Sequence, residues 1–146
     1  MKPLPPFLKE HLLSELDFVI ERVHQESLIR KKLYFLSGLY TAVDRVMRIS
    51  HESQLVLLHM ALNICYNNVL GLVANRERGD IAVEIPEDIS EKLEGLLKEL
   101  REKVQKNDDL YVTIDKIVSL AYLSSGGGYY NSLYTQYLMS RSKQNK

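Results

Sequence analysis

Histidine is scarce in this chain, and His11, His24, His51 and His59 mark the places where proton or metal chemistry could sit. His59 has the most suggestive neighbours. Asn63 and Asn67 follow it at i+4 and i+8, with Tyr66 alongside. Hydrogen-bonding groups in one stripe of a helix can line a pocket and orient a small ligand. The same stripe also fits an internal network or a polar edge at an interface, since buried polar groups find partners. His24 closes an ExxH with Glu21. Carboxylate-bridged di-iron bundles use two such motifs and two further glutamates. One ExxH stands here, and Ser53 to Asn75 contains no Asp or Glu. His24 is therefore read as a surface histidine, and neither a metal nor another cofactor is expected. The single cysteine, Cys65, lies in an apolar run and reads as a small buried hydrophobe. One cysteine allows no internal disulfide and no Cys-based zinc spacing.

Arg45 to His51 reads RVMRISH, with the arginine and the histidine six positions apart. Arginine holds phosphate well, and histidine moves protons near neutral pH. The spacing resembles the loose R-x4-6-H motif of HEPN-domain ribonucleases, which are also helical bundles. The likeness covers these seven residues. It implies Arg45 on the phosphate and His51 in acid–base chemistry, at a composite site supplied by two protomers. Val46 stands where that family usually has a polar residue after its arginine, and Ser53 where it has a tyrosine after its histidine. Without the resemblance, Arg45 and Arg48 read as a solvated face pairing with Asp44 or with the next helix.

Ser124 to Gly128 ends in three glycines ahead of a helical stretch. Glycine-rich loops at helix starts can cradle phosphate. Neither GxxxxGK[ST] nor GxGxxG occurs, and a hinge explains the run as well. Tyr130, Tyr134 and Tyr137 follow at i, i+4, i+7 and form a core stripe or a partner-binding face.

These residues must be held by helices. Leu8, Leu12, Leu16, Val19, Ile20 and Val23 recur at helical spacing and predict a first helix from Phe7 to about Glu26, after an extended start at 1–6. Ile29, Leu33, Leu36, Tyr40, Val43 and Met47 predict a second, from about Ser27 to Ile49. Gly38 lies inside it and is read as a close helix–helix approach. Ser50 is the expected N-cap of a third helix from about His51 to Asn75, with Glu52 in its first turn. Residues 75–80 form a polar turn, and 81–85 alternate like a strand but lack a partner, so they are read as loop. Pro86 opens a fourth helix to about Lys106. Its outer face pairs Glu94–Lys98, Glu99–Lys103 and Glu102–Lys106. A fifth follows from Leu110 to about Ser124, then a last segment from Tyr129 to about Ser140 and a frayed tail at 141–146.

The third helix stands out. From Ser53 to Asn75 it holds no Asp, Glu, Lys or Arg. A half-exposed helix carries charge outside. This one is too polar to span a membrane, because His59, Asn63, Asn67 and Asn68 interrupt it. Burial on most sides is therefore expected, under the C-terminal segment or against another subunit.

The 146 residues fit one helical domain, 1–146, large enough for its own core. The expected fold is all-α: an up-down antiparallel four-helix bundle with an additional C-terminal helical segment. The 19 basic and 19 acidic residues balance, so nucleic acid and anionic membranes are not expected partners. Arg30-Lys31-Lys32 and Arg141, Lys143 and Lys146 then read as solvated faces. Lys9, Glu10, His11 and Glu15 break any signal-peptide core, so the expected location is the cytoplasm. The expected function is self-association, as a homodimer, or binding to another protein. The alternatives are a HEPN-like, metal-independent ribonuclease at Arg45 and His51, and a small-ligand bundle using His59, Asn63, Tyr66 and Asn67.

Overall fold

The computed structural model describes residues 1–77 and 89–123. These form five helices: α1 (Pro6–Gln25), α2 (Ile29–Ser50), α3 (Ser53–Glu77), α4 (Ile89–Gln105) and α5 (Tyr111–Leu123). No strand occurs among the described residues. The alternating stretch 81–85, the glycine run, and Tyr130, Tyr134 and Tyr137 lie outside them.

The helices close a ring. α1 packs between α2 and α4, α2 on α3, α3 on α5, and α5 on α4. Thus α5 joins α3 to α4, and the core runs through the centre. Leu12 and Leu16 of α1, Leu36 of α2, Leu58 of α3, Leu97 and Leu100 of α4, and Leu110 before α5 are all fully or almost fully buried. Each leucine removed from water contributes about 1.5–3 kcal/mol before chain entropy is counted.

Local sequence explains the helix ends. Pro6 is the first residue of α1, where a missing N–H leaves no gap in the ladder. Leu8, Leu12, Leu16, Val19 and Val23 then form its buried stripe. The extended start is docked: Leu4 is buried, Met1 packs against the core, and the Met1 ammonium pairs with Asp109. At the end of α4, Asn107 adopts φ 55°. The Asn107 N–H reaches the Val104 carbonyl at 3.2 Å, and the Asp108 N–H reaches that of Lys103 at 3.0 Å. This is a Schellman stop with Asn in the left-handed position, where glycine is commonest.

Polar contacts fasten neighbouring helices from outside. His24 meets Glu94 at 2.8 Å and Asp17 pairs with Arg101, both between α1 and α4. Burial pushes the Glu94 carboxyl up, but hydrogen bonds from Lys98 and His24, with their charges, outweigh this and hold it below its ordinary value. Glu94–Lys98 and Glu102–Lys106 form within α4 as the spacing predicts. Glu99 instead takes Lys116 of α5 at 2.9 Å, because its side of α4 faces that helix.

Two expectations from the sequence change. Lys32 is buried rather than solvated, as a long aliphatic stem allows. Gly38 marks no close approach: it is exposed, and an added Cβ meets nothing within 4 Å. Gly38→Ala should therefore raise stability by about 1 kcal/mol through helix propensity alone. Leu58→Ala, at a site with no exposure, should lower it by about 2–5 kcal/mol. Urea unfolding of the two variants checks both signs.

Candidate functional site

α3 begins differently from its expected start. Ser50 is the last residue of α2, and His51 follows in the left-handed region at φ 57°, ψ 27°, its N–H on the Met47 carbonyl at 2.8 Å. Ser50 therefore ends one helix rather than capping the next. The cap falls to Glu52. Its carboxylate accepts the Gln54 N–H at 3.3 Å, and its carbonyl accepts that of Leu55 at 3.1 Å. The Ser50 hydroxyl accepts the Glu52 N–H at 3.3 Å, so the corner is tied across both helices.

Gln54 then joins α3 to α5. It is buried, and its amide oxygen accepts the Leu110 N–H at 2.7 Å while its amide nitrogen donates to Asp109 at 2.8 Å. Asp109 is held below its ordinary value by hydrogen bonds from the Met1 ammonium and from Gln54. One side chain thus ties α3 to the two residues that lead into α5. Sequence reasoning missed Gln54. Its only sign is a polar residue one position before an apolar periodicity.

The inward side of α3 carries Leu55, Leu58, Leu62, Cys65, Val69 and Val73, all buried. Burial pushes the Cys65 thiol up to about 12, so the thiolate is suppressed. The outward side is open among the described residues, and the C-terminal segment expected to cover it lies outside them. Val56 and Leu57 are each 42% exposed and Met60 54%, and Asn63, Asn67 and Gly71 continue the same open face. At the start of α5, Tyr111 and Val112 are exposed too. Among the described residues, α2 and α5 flank α3, and this face carries no charge.

The polar stripe divides in two. Asn67 donates to Asn63 at 2.7 Å on the open face. Tyr66 is half-buried against the core. His59 turns toward α2, where its ring stacks on Tyr40 with centroids 4.0 Å apart and planes at 24°. Its Nε2 is buried without a hydrogen bond, 3.6 Å from Asp44. That distance suits an ion pair when His59 is protonated but is too long for a hydrogen bond. Asp44 already takes Arg48 at 3.0 and 3.1 Å. So His59 belongs to the α2–α3 seam, while Asn63 and Asn67 belong to the surface.

Arg45 and His51 are both exposed. No hydrogen bond or ion pair joins them, or engages either side chain, among the described residues. In the ExxH, His24 bonds Glu94, and Glu21 accepts from Gln25 at 3.3 Å. Among the described residues, no three His, Cys, Asp or Glu side chains gather as metal ligands, and no helix is long and apolar enough to cross a membrane.

No protein family, curated protein or solved structure matches this chain. The geometry therefore carries the functional inference by itself.

The Tyr40–His59 stack is measurable. A double-mutant cycle with Tyr40→Ala and His59→Ala, read by urea unfolding, should give a coupling of about 0.5–1.5 kcal/mol. A coupling of zero would remove the stack as a tie between α2 and α3.

Proposed function

We propose that this protein works by association, through the outer face of α3, and that its partner is a second copy of itself. The observation that carries this is the exposed, uncharged face of Val56, Leu57 and Met60, continued by Asn63, Asn67 and Gly71. A single exposed apolar residue needs no explanation, but a contiguous patch on a helix uncharged from Ser53 to Asn75 marks an interaction surface. A straight helix face is also suited to twofold pairing, since each copy offers the same strip. The central Asn63–Asn67 pair would give hydrogen bonds where two such strips cross. On this reading α1 to α4 alternate up and down in the bundle, the additional C-terminal segment lies beside them, and the protein works in the cytoplasm. Another protein with a matching apolar strip is the alternative partner.

Met60→Glu would place a charge in the apolar part of the strip in both copies. Sedimentation velocity across a dilution series should show a dimer for the native chain. Its dissociation constant should rise at least about tenfold in the variant. A native chain that stays monomeric to the highest concentration would end the self-association proposal.

A second reading is favoured by His51. A bulky residue held at positive φ is strained, and such strain gathers at functional sites. His51 and Arg45 are exposed, and among the described residues no hydrogen bond or ion pair engages either side chain, as a composite ribonuclease site between two protomers would require. This reading predicts metal-independent cleavage of single-stranded RNA that His51→Ala abolishes. Equal cleavage by that variant rules the role out.

A further inference from the structure

We infer that the two copies pair in parallel, with the twofold axis running along α3. This rests on the association proposal and adds the orientation of the partner.

The first observation is spacing. Val56, Met60, Asn63 and Asn67, all exposed, fall four, three and four apart. Alternating steps of this kind make the seam along which two helices wind around each other. The seam is unequal along its length, with Val56 and Met60 apolar and Asn63 and Asn67 amides. In a parallel pair each position meets its own copy, so apolar meets apolar and amide meets amide. In an antiparallel pair about the middle of the seam, Val56 would lie against Asn67, and Met60 against Asn63. Each amide would then be covered by a side chain that offers no hydrogen bond, which costs free energy.

The second is hydrogen-bonding capacity. Asn67 donates its amide nitrogen to the Asn63 oxygen within the chain. An amide side chain has two donors and an acceptor with two lone pairs, so this bond leaves the Asn63 nitrogen and the Asn67 oxygen for the other copy. In parallel register those complementary groups come together across the axis. A polar pair on an otherwise apolar seam fixes register and partner number for the same reason.

The third is charge. α2 and α5 flank α3 on opposite sides. α2 contains five basic residues, Arg30, Lys31, Lys32, Arg45 and Arg48, against the single acid Asp44. In α5, Asp115 and Lys116 balance. A twofold axis across α3 would bring α2 of one copy beside α2 of the other, cation against cation. An axis along α3 exchanges the sides and brings α2 beside α5. The levels agree as well. Asp44 lies 3.6 Å from His59, and Arg45 follows it. Gln54 bonds Leu110, and α5 leaves from the same end as α3, so Asp115 is also level with His59. The parallel pair therefore turns the exposed Arg45 of each copy toward the exposed Asp115 of the other. Such complementarity selects an orientation more than it adds affinity.

The test reads orientation in the full chain. Ser53→Cys and Gly71→Cys each carry a spin label; both positions are exposed, and an added Cβ at Gly71 meets nothing within 4 Å. They stand about five turns apart on one side of α3 and about equally far from the middle of the seam. Buried Cys65, its thiol pushed up to about 12, stays unlabelled. Nitroxide-bearing chains are mixed with gadolinium-tagged chains, so pulsed spin resonance reads only distances across the dimer. Labels at 53 and 53, or at 71 and 71, should lie within about 20 Å, as for adjacent helices. Labels at 53 and 71 should be offset along the axis by about 27 Å.

Short distances between like positions uphold the parallel pair. A short distance between 53 and 71, with like positions far apart, overturns it and leaves association standing, because the copies then meet antiparallel through the same face. Long distances in all three samples place the contact elsewhere and overturn both the orientation and the surface. A chain that stays monomeric ends the association proposal, and the parallel pair with it.

Discussion

A helix with apolar residues on every side gains nothing from facing water, and α3 imposes that condition on the whole fold. Its inward stripe of Leu55, Leu58, Leu62, Cys65 and Val69 is satisfied by the core. Its flanks need more, and α2 and α5 supply it. The ring of five helices follows from this demand. The cover still stops short, leaving Val56, Leu57 and Met60 exposed. The functional question is what meets them.

Polar chemistry is spent mainly on holding helices together. The buried Gln54 satisfies the start of α5, and Asp44 holds Arg48 beside His59. His24 and Arg101 tie α1 to α4. Exposed ion pairs of this kind contribute little each, typically up to about 1 kcal/mol. Their value lies in orientation, since apolar packing alone tolerates sliding and rotation that a fixed hydrogen bond does not.

Much of the helical layout was legible because it rests on periodicity. Leu8, Leu12, Leu16, Val19 and Val23 in α1, and Leu93, Leu97, Leu100 and Val104 in α4, recur three and four apart and are buried in the structure. The α2–α3 corner was not legible. Ser50 has the chemistry of an N-cap, but His51 takes the left-handed position usually given to glycine, which moves the cap to Glu52. Of the polar stripe, spacing showed that His59, Asn63 and Asn67 share a side. It did not show that His59 would turn to Tyr40 on α2, because that depends on which helix lies next to which. Gly38 was misjudged on similar grounds, since a missing side chain does not say whether anything stands opposite.

The ring also has a consequence in time. Asp17 of α1 meets Arg101 of α4 across 84 positions of sequence. A ribosome adding about 5–20 residues per second needs about 4–17 s to make that stretch. Throughout that interval α1 lacks the helix that closes its second flank, and α3, made within it, still waits for α5. The early helices therefore depend on α2 alone for shelter, and the chain passes through a stage in which its most apolar helix is already made but only half covered. During synthesis, the last helices to appear decide whether the first ones stay soluble.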